Sequence, residues 1–302
     1  MTAHIQTDAR SNLIGSAWMI LAMALFALED ALLKGASAAL PIWQILLLFG
    51  SGGAVIFAIV AALRGTSLFH PDVLSRPMKV RVLFEILGRL FYVLAIALTP
   101  LSAATVILQA TPLVVVAGAA LFFGETVGWR RWSAILIGLI GVFIIIQPTG
   151  DSFSALSILA VLGMLGFAGR DLASRAAPAT LGTEVLGFYG FLCIIIAGLA
   201  YQFWEGAPLT PVDLHTGLHV TGAVLMGAAA YASLMKAMRT GEVSAVTPFR
   251  YSRLLFGVAL GVVMFGERLD QTMWIGSALI VASGLYILWR GRQAEPLSWK
   301  KS

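Results

Sequence analysis

Apolar residues run through this chain in long blocks separated by short polar breaks. A helix needs about 20 mostly apolar residues to cross the hydrocarbon of a bilayer. On that basis ten spans are predicted, at 12–34, 41–63, 80–98, 101–123, 130–148, 154–175, 184–204, 215–238, 243–265 and 271–290. The breaks carry turn chemistry, as at Pro41, Arg64-Gly65, Thr99-Pro100, Gly128 and Pro148-Thr149-Gly150. Only Arg64–Lys79 and Gly206–Leu214 are longer, and no stretch reads as a soluble domain.

One part of this pattern is written twice. Thr99–Pro148, moved forward so that Thr99 falls on Gly241, lies on Gly241–Arg290 without a gap. Ser102, Ala103 and Thr105 then meet Ser244, Ala245 and Thr247, and Phe123-Gly124-Glu125 meets Phe265-Gly266-Glu267. Self-similarity at long period is a fold signal. Five spans in each half reverse the second half relative to the first, so the repeats are expected to be inverted, as in transporters with a site near the midplane. The expected architecture is therefore an all-α membrane protein of ten transmembrane helices in two inverted five-helix repeats. The first repeat takes residues 1–148, beginning with a polar tail 1–11. The second takes 149–290, and 291–302 form a second tail.

Composition agrees. Of the residues, 59% are hydrophobic and 12% charged, against roughly 25% charged in an average soluble domain, and the mean hydropathy is +0.90. Too few charges remain to cover a water-soluble globule. The net charge of +5 forms no basic stripe with interleaved aromatics, so no nucleic-acid partner is expected. With the N-terminus in the cytoplasm, fourteen Lys and Arg fall inside, Arg81 among them, and only Lys34 and Arg268 fall outside. That bias predicts two cytoplasmic termini. Arg89, Arg170, Arg250 and Arg253 lie within spans. Cys193 is the single cysteine and sits in an apolar run, which leaves no disulfide framework. Met1–Ser11 reads as a polar tail, and the apolar segment after it is too long for a signal-peptide core, so it is expected to remain as the first span.

The sequence resembles the drug/metabolite transporter superfamily, in particular its ten-span EamA-type branch. The residues that carry the resemblance are Lys34, Ala97-Leu98, Ser102-Ala103-Ala104, Pro112, Phe123-Gly124-Glu125, Thr247-Pro248 and Gly266-Glu267. Within that branch it looks most like the YddG-type amino-acid and metabolite exporters. The resemblance implies a secondary transporter of the bacterial inner membrane. It departs from many members in the second span, where Leu47-Leu48-Phe49 stands near a position at which they carry arginine.

Ionisable side chains within a span are costly and mark candidate function. Glu85 and Arg89 are four apart on one helical face, either lining a cavity that offers Arg89 to a substrate carboxylate or neutralising each other in packing. Arg250 and Arg253 flank Tyr251 just after Pro248, with no acid in their span. They suit an anionic group; otherwise they snorkel or pair with another helix, for example at Asp171. Asp30 closes a face formed by Ser16, Met19, Met23 and Phe26 and is a candidate for an ammonium group or a coupling proton. Glu29 reads as an outer-interface acid balancing Lys34. Tyr92, Gln109, Thr111, Trp43 and Gln44 are uncharged candidates, Trp43 also fitting an interfacial aromatic belt. Pro112 and Pro248 free backbone carbonyls within spans. Glu125 and Glu267 match across the repeats and read as gating or interface residues, while Gly163, Gly166, Gly169, Gly257 and Gly261 form ridges for close packing. His215 and His219 have ligand spacing but lack a third ligand beyond Asp213, so no metal is expected, and no cofactor.

Together these readings point to a secondary transporter of amino acids or similar amphipathic metabolites, working as a monomer or a homo-oligomer. No nucleotide-binding motif is present, so a solute gradient or protons would drive it. A multidrug exporter is the alternative within the class. An intramembrane enzyme on lipid-like substrates is the alternative outside it, for which no nucleophile–base pair is evident.

Overall fold

The structure is a computed structural model, and it describes residues 9–123, 129–146, 156–178, 180–240 and 247–293. Eleven α-helices lie in these residues: α1 (Ala9–Ala36), α2 (Ile42–Leu63), α3 (Arg76–Leu98), α4 (Leu101–Leu108), α5 (Thr111–Phe123), α6 (Trp129–Ile146), α7 (Ser157–Arg175), α8 (Thr183–Glu205), α9 (Leu214–Thr240), α10 (Ser252–Phe265) and α11 (Gln271–Gln293). Short 3₁₀ turns at Pro71–Leu74 and Thr247–Tyr251 join them.

Among the described residues each predicted span holds helix, the ninth as a 3₁₀ turn followed by α10, and the fourth is not one helix. It breaks into α4 and α5 at Gln109-Ala110, where Gln109 and Ala110 donate their N–H groups three residues back, to Val106 and Ile107 (both 3.0 Å). Pro112 has no N–H to donate and so fits the start of α5. Among the described residues, six segments are long and apolar enough to cross a membrane: Leu13–Ala36, Ile42–Leu63, Leu101–Phe122, Ser157–Ser174, Thr183–Glu205 and Leu214–Ala237. Helix α3 falls short because Arg81, Glu85 and Arg89 lie along it, and α10 because it has 14 residues.

Helices pair across the two halves of the sequence: α1 packs on α9, α2 on α8, α3 on α7, and α6 on α11. Further contacts join α1 to α10 and α4 to α10. Exchanging each helix for its counterpart in the other half turns the α1–α9 pair into the α3–α7 pair and leaves α2–α8 and α6–α11 unchanged. Glycine makes the α3–α7 seam close: a Cβ on Gly166 would stand 2.3 Å from Gly88 Cα, and one on Gly163 2.9 Å from the backbone N of Tyr92. Gly169 receives the Phe84 ring, and Gly257 and Gly261 of α10 sit against Thr105 and the Glu267 carboxylate. The ridges predicted from these glycines are therefore sites of close contact, as packing without a hydrophobic driving force requires.

Outward-facing positions are apolar. Val55, Ile59, Ile140, Phe143, Leu255, Val263 and Trp274 are all exposed, which suits hydrocarbon rather than water. Helix ends are capped by side chains from other elements. Glu205 accepts from the N–H groups of Ile42 (3.3 Å) and Trp43 (3.1 Å) at the start of α2. Glu267 accepts from Leu101 N (2.6 Å), Ser102 N (2.9 Å) and Ser102 Oγ (2.6 Å) at the start of α4. Lys34 Nζ donates to the carbonyls of Ile96 (2.9 Å) and Thr99 (2.6 Å), where α3 ends. Each charge has the sign that the helix end calls for. Asp213 caps α9 by accepting from Thr216 N (3.2 Å). The Thr216 side chain, together with that bond, holds its carboxyl below the usual range.

Candidate functional site: a buried ionic cluster

Four helices and one 3₁₀ turn carry charge into the interior. Glu29 and Asp30 on α1, both buried, point to different partners. Arg89 Nη1 of α3 binds Glu29 Oε1 at 2.6 Å, and Arg253 Nη2, in the first turn of α10, binds Asp30 Oδ2 at 2.6 Å. Tyr92, one turn beyond Arg89, donates its hydroxyl to the same Asp30 oxygen at 3.1 Å. The second oxygens, Glu29 Oε2 and Asp30 Oδ1, are buried without a hydrogen-bond partner among the described residues. Aromatic faces close the space between the charges. Arg89 lies over Phe49 (5.2 Å) and Phe167 (5.8 Å), and Arg253 over Phe26 (5.0 Å) and Tyr92 (5.8 Å). Such faces attract a guanidinium where water is excluded.

A second group runs as an alternating chain. Arg81 Nη2 meets Glu85 Oε2 at 3.3 Å, Glu85 Oε1 meets Arg170 Nη1 at 3.3 Å, and Arg170 Nη2 meets Asp171 Oδ1 at 2.9 Å. Asp171 Oδ2 faces Arg250 Nη1 at 3.7 Å. Arg81 is further held by Ser174 Oγ (2.9 Å) and the Leu186 carbonyl (3.3 Å), while Arg170 stacks on Phe167 (4.8 Å). Accessibility rises along the cluster. Side chains of Glu29 and Asp30 are 0% and 1% exposed, Arg89 and Arg253 11% and 15%, Arg170 and Asp171 both 24%, and Arg250 29%.

The two helix breaks meet at this cluster. The α4–α5 break at Gln109-Ala110 falls, one repeat later, on Tyr251-Ser252, where the 3₁₀ turn gives way to α10. Gln109 Nε2 donates to the Arg250 carbonyl at 3.2 Å and so ties the breaks together. Thr111 returns its hydroxyl to the Leu108 carbonyl (2.5 Å), and Pro248 lies within the 3₁₀ turn. Tyr251 is buried, its hydroxyl without a partner among the described residues, and lies against Gly284 of α11.

Several sequence expectations are redrawn. Glu85 and Arg89 do not pair: Glu85 turns to Arg81 and Arg170, and Arg89 turns to Glu29. Glu29 is not an interface acid for Lys34, which is taken by the end of α3. Arg81, counted with the cytoplasmic breaks, is buried. Arg250 does face Asp171, the partner on another helix that the sequence offered, whereas Arg253 turns to Asp30. Trp43 and Gln44 stand apart from the cluster. The indole Nε1 donates to the Ala207 carbonyl (3.1 Å), and the Gln44 amide exchanges two hydrogen bonds with Thr210 (2.7 and 2.9 Å). Glu267 is a helix cap, and Glu125 lies outside the described residues. His219 folds back onto the His215 carbonyl (2.9 Å), and no group of three metal-ligating side chains occurs among the described residues. Arg81, Arg170, Phe49 and Phe167 were not singled out as site residues. The intramembrane charge of Arg170 was the available signal; the two rings had none, since phenylalanine is ordinary in a span.

Burying these charges is costly unless each keeps a partner. A ligand carrying a carboxylate or an ammonium group can replace one member of a pair without leaving the other uncompensated, so the cluster is suited to exchange of partners. The apolar cleft of about 180 Å³ between α10 and α11, lined by Leu254, Val258, Met273 and Trp274, includes none of the cluster's charges.

Comparison with known proteins adds an independent line. The model of the EamA-like transporter family matches the chain twice, over residues 13–147 and 155–289. A riboflavin transporter of Rhizobium johnstonii is 27% identical, covering 91% of each chain. An S-adenosylmethionine uptake transporter of Rickettsia conorii is 25% identical over 73% of this chain and 74% of its own. The pseudopaline exporter CntI of Pseudomonas aeruginosa is 28% identical over 87% of this chain and 92% of its own. A crystal structure with a TM-score of 0.59 and 23% identity covers 91% of this chain and 96% of that one, which shows a shared fold.

Proposed function

The chain belongs to the EamA-like transporter family, a branch of the drug/metabolite transporter superfamily, and from that premise we propose that it carries amino acids or similar amphipathic metabolites by alternating access around the buried ionic cluster. The observation that carries the proposal is the meeting of Asp30, Tyr92 and Arg253 (α1, α3 and α10) beside two helix breaks tied by Gln109. Helices from both halves form this site, so movement of one half against the other changes access to it. S-adenosylmethionine, named for one relative, is itself an amino acid, and paired guanidinium and carboxylate groups are the chemistry that receives one.

The two halves, residues 1–148 and 149–290, are proposed as inverted repeats in a bacterial inner membrane with both termini cytoplasmic. The double family match supports the division. Contacts between helix ends support the topology, because each joins segments that ten alternating spans assign to one face. Lys34 meets the end of α3; Trp43 and Gln44 meet the α8–α9 connection; Arg64 pairs with Glu184, and Thr180 with Asp72.

The test is uptake into proteoliposomes holding only this protein, with a panel of labelled amino acids and with Arg89→Ala alongside. Saturable uptake without ATP, lost in the variant, is expected. Correctly folded protein that moves none of the panel removes the amino-acid reading, and cationic dyes then test the multidrug alternative.

A further inference from the structure

By direct contact, the ion pairs divide the cluster into three groups. Glu29 with Arg89 is neutral, and so is Asp30 with Arg253. The chain Arg81–Glu85–Arg170–Asp171–Arg250 is not, since three guanidinium groups share two carboxylates among the described residues. One positive charge is left over, and the contacts say where. Arg81, at one end, is buried and donates to Ser174 and Leu186 as well as facing Glu85. Arg170, in the middle, holds an acid on each side. Arg250, at the other end, faces Asp171 only at 3.7 Å, beyond hydrogen-bond length, and meets no other acid among the described residues. It is also the most accessible arginine of the cluster, while Gln109 holds its backbone in place.

The repeat sharpens the contrast. Asp171 occupies in the second half the position that Glu29 occupies in the first. Glu29 is sealed against its arginine at 2.6 Å, whereas Asp171 is shared between Arg170 and the looser Arg250. We propose that Arg250 is the anchor for the carboxylate of a substrate with one net negative charge, and that Asp171 is the internal counter-ion that this carboxylate displaces. The proposal rests on the transport reading above and narrows its substrate class. A zwitterion docked here leaves the surplus charge in place, because its ammonium cancels its own carboxylate. A monoanion removes it. The order of preference is therefore set by net charge: anion over zwitterion over cation.

Three compounds with one side chain separate these cases at neutral pH: N-acetyl-L-leucine (−1), L-leucine (0) and L-leucine amide (+1). Equilibrium binding to the purified full-length protein is measured alongside proteoliposome uptake. N-acetyl-L-leucine is expected to bind about tenfold or more tighter than L-leucine, and Arg250→Gln to abolish that advantage with partial recovery in Arg250→Lys, since losing one partner of a buried charge contact costs that much or more. Asp171→Asn removes the competing carboxylate and is expected to tighten N-acetyl-L-leucine binding, a gain that mere loss of packing does not produce. L-leucine binding as tightly as its N-acetyl derivative, chloride competing as well as that derivative, or Asp171→Asn weakening it, would each overturn the proposal. Binding in the predicted order without uptake supports the anion site and sinks the transport reading. Uptake of L-leucine without anion preference does the reverse.

Discussion

Arg89 and Glu29 show how much one contact depends on the other. They meet at 2.6 Å with Glu29 fully buried and the guanidinium held over two phenyl rings, so neither charge has water to fall back on. Glu29→Ala leaves Arg89 charged and unpaired and is expected to cost about 3–5 kcal/mol, while the double replacement Glu29→Leu with Arg89→Met recovers most of it. Thermal unfolding of the four proteins in detergent, read as a double-mutant cycle, checks this; equal losses in the single and double variants would mean that the pair is not coupled. Tyr92→Phe removes one of two donors to Asp30 Oδ2 and leaves Arg253 in place, so a loss of only about 1 kcal/mol is expected. The sequence marked Arg89, Tyr92, Asp30, Arg250 and Arg253 because an ionisable or polar group inside a span stands out. Beyond offering Asp171 to the Arg250 and Arg253 pair, it could not match them to partners. Glu85 and Arg89 have a spacing that favours contact along one helix, but α7 brings Arg170 to Glu85 and α1 brings Glu29 to Arg89, and spacing along one helix carries no information about either.

At the scale of helices, the apolar runs located the helices among the described residues to within a few residues, because a helix in lipid must satisfy its own backbone; the exception is α10, which starts at Ser252 well inside the ninth predicted span. The break at Gln109-Ala110 was less legible. Pro112 marks its neighbourhood, yet the helix stops three residues earlier, where the chain turns toward the Arg250 carbonyl. The glycines of α3 and α7 were readable as ridges but not as partners. Gly88 and Gly166 bring two backbones into contact, and a methyl group on Gly166 has only backbone to push against. Gly166→Ala is expected to destabilise by about 1–3 kcal/mol. Gly217 on α9, where an added Cβ meets nothing closer than Val212 Cγ1 at 3.6 Å, makes the contrast. Gly217→Ala is expected to be neutral or to stabilise by up to about 1 kcal/mol, since alanine gives up less backbone freedom in a helix. Melting temperatures of the two variants in the same detergent should move in opposite directions or differ by several degrees; equal shifts would leave the α3–α7 contact without special weight.

For the whole molecule, the proposal turns on inversion, which equivalent residues can test. Ser67 and Leu209 occupy the same step of the repeat, as do Ala38 and Thr180, and all four are exposed. If five spans separate each pair, the members of a pair lie on opposite faces of the membrane, whereas a parallel repeat places them on one. The native Cys193 is buried, so Cys193→Ala gives a quiet background for single cysteines. Positive charge concentrated in the 64–81 region and depleted around 205–214 sets the sign. In intact cells an impermeant maleimide is expected to label cysteine at Ala38 and Leu209, and to label cysteine at Ser67 and Thr180 only after permeabilisation. The helix-end contacts make the same assignment independently: Thr180 touches Asp72 near Ser67, and the connection holding Leu209 is latched to the start of α2, just beyond Ala38. Labelling of Ser67 and Leu209 variants from one side would break the inverted repeat, and with it the argument that a site between the halves can face each compartment in turn.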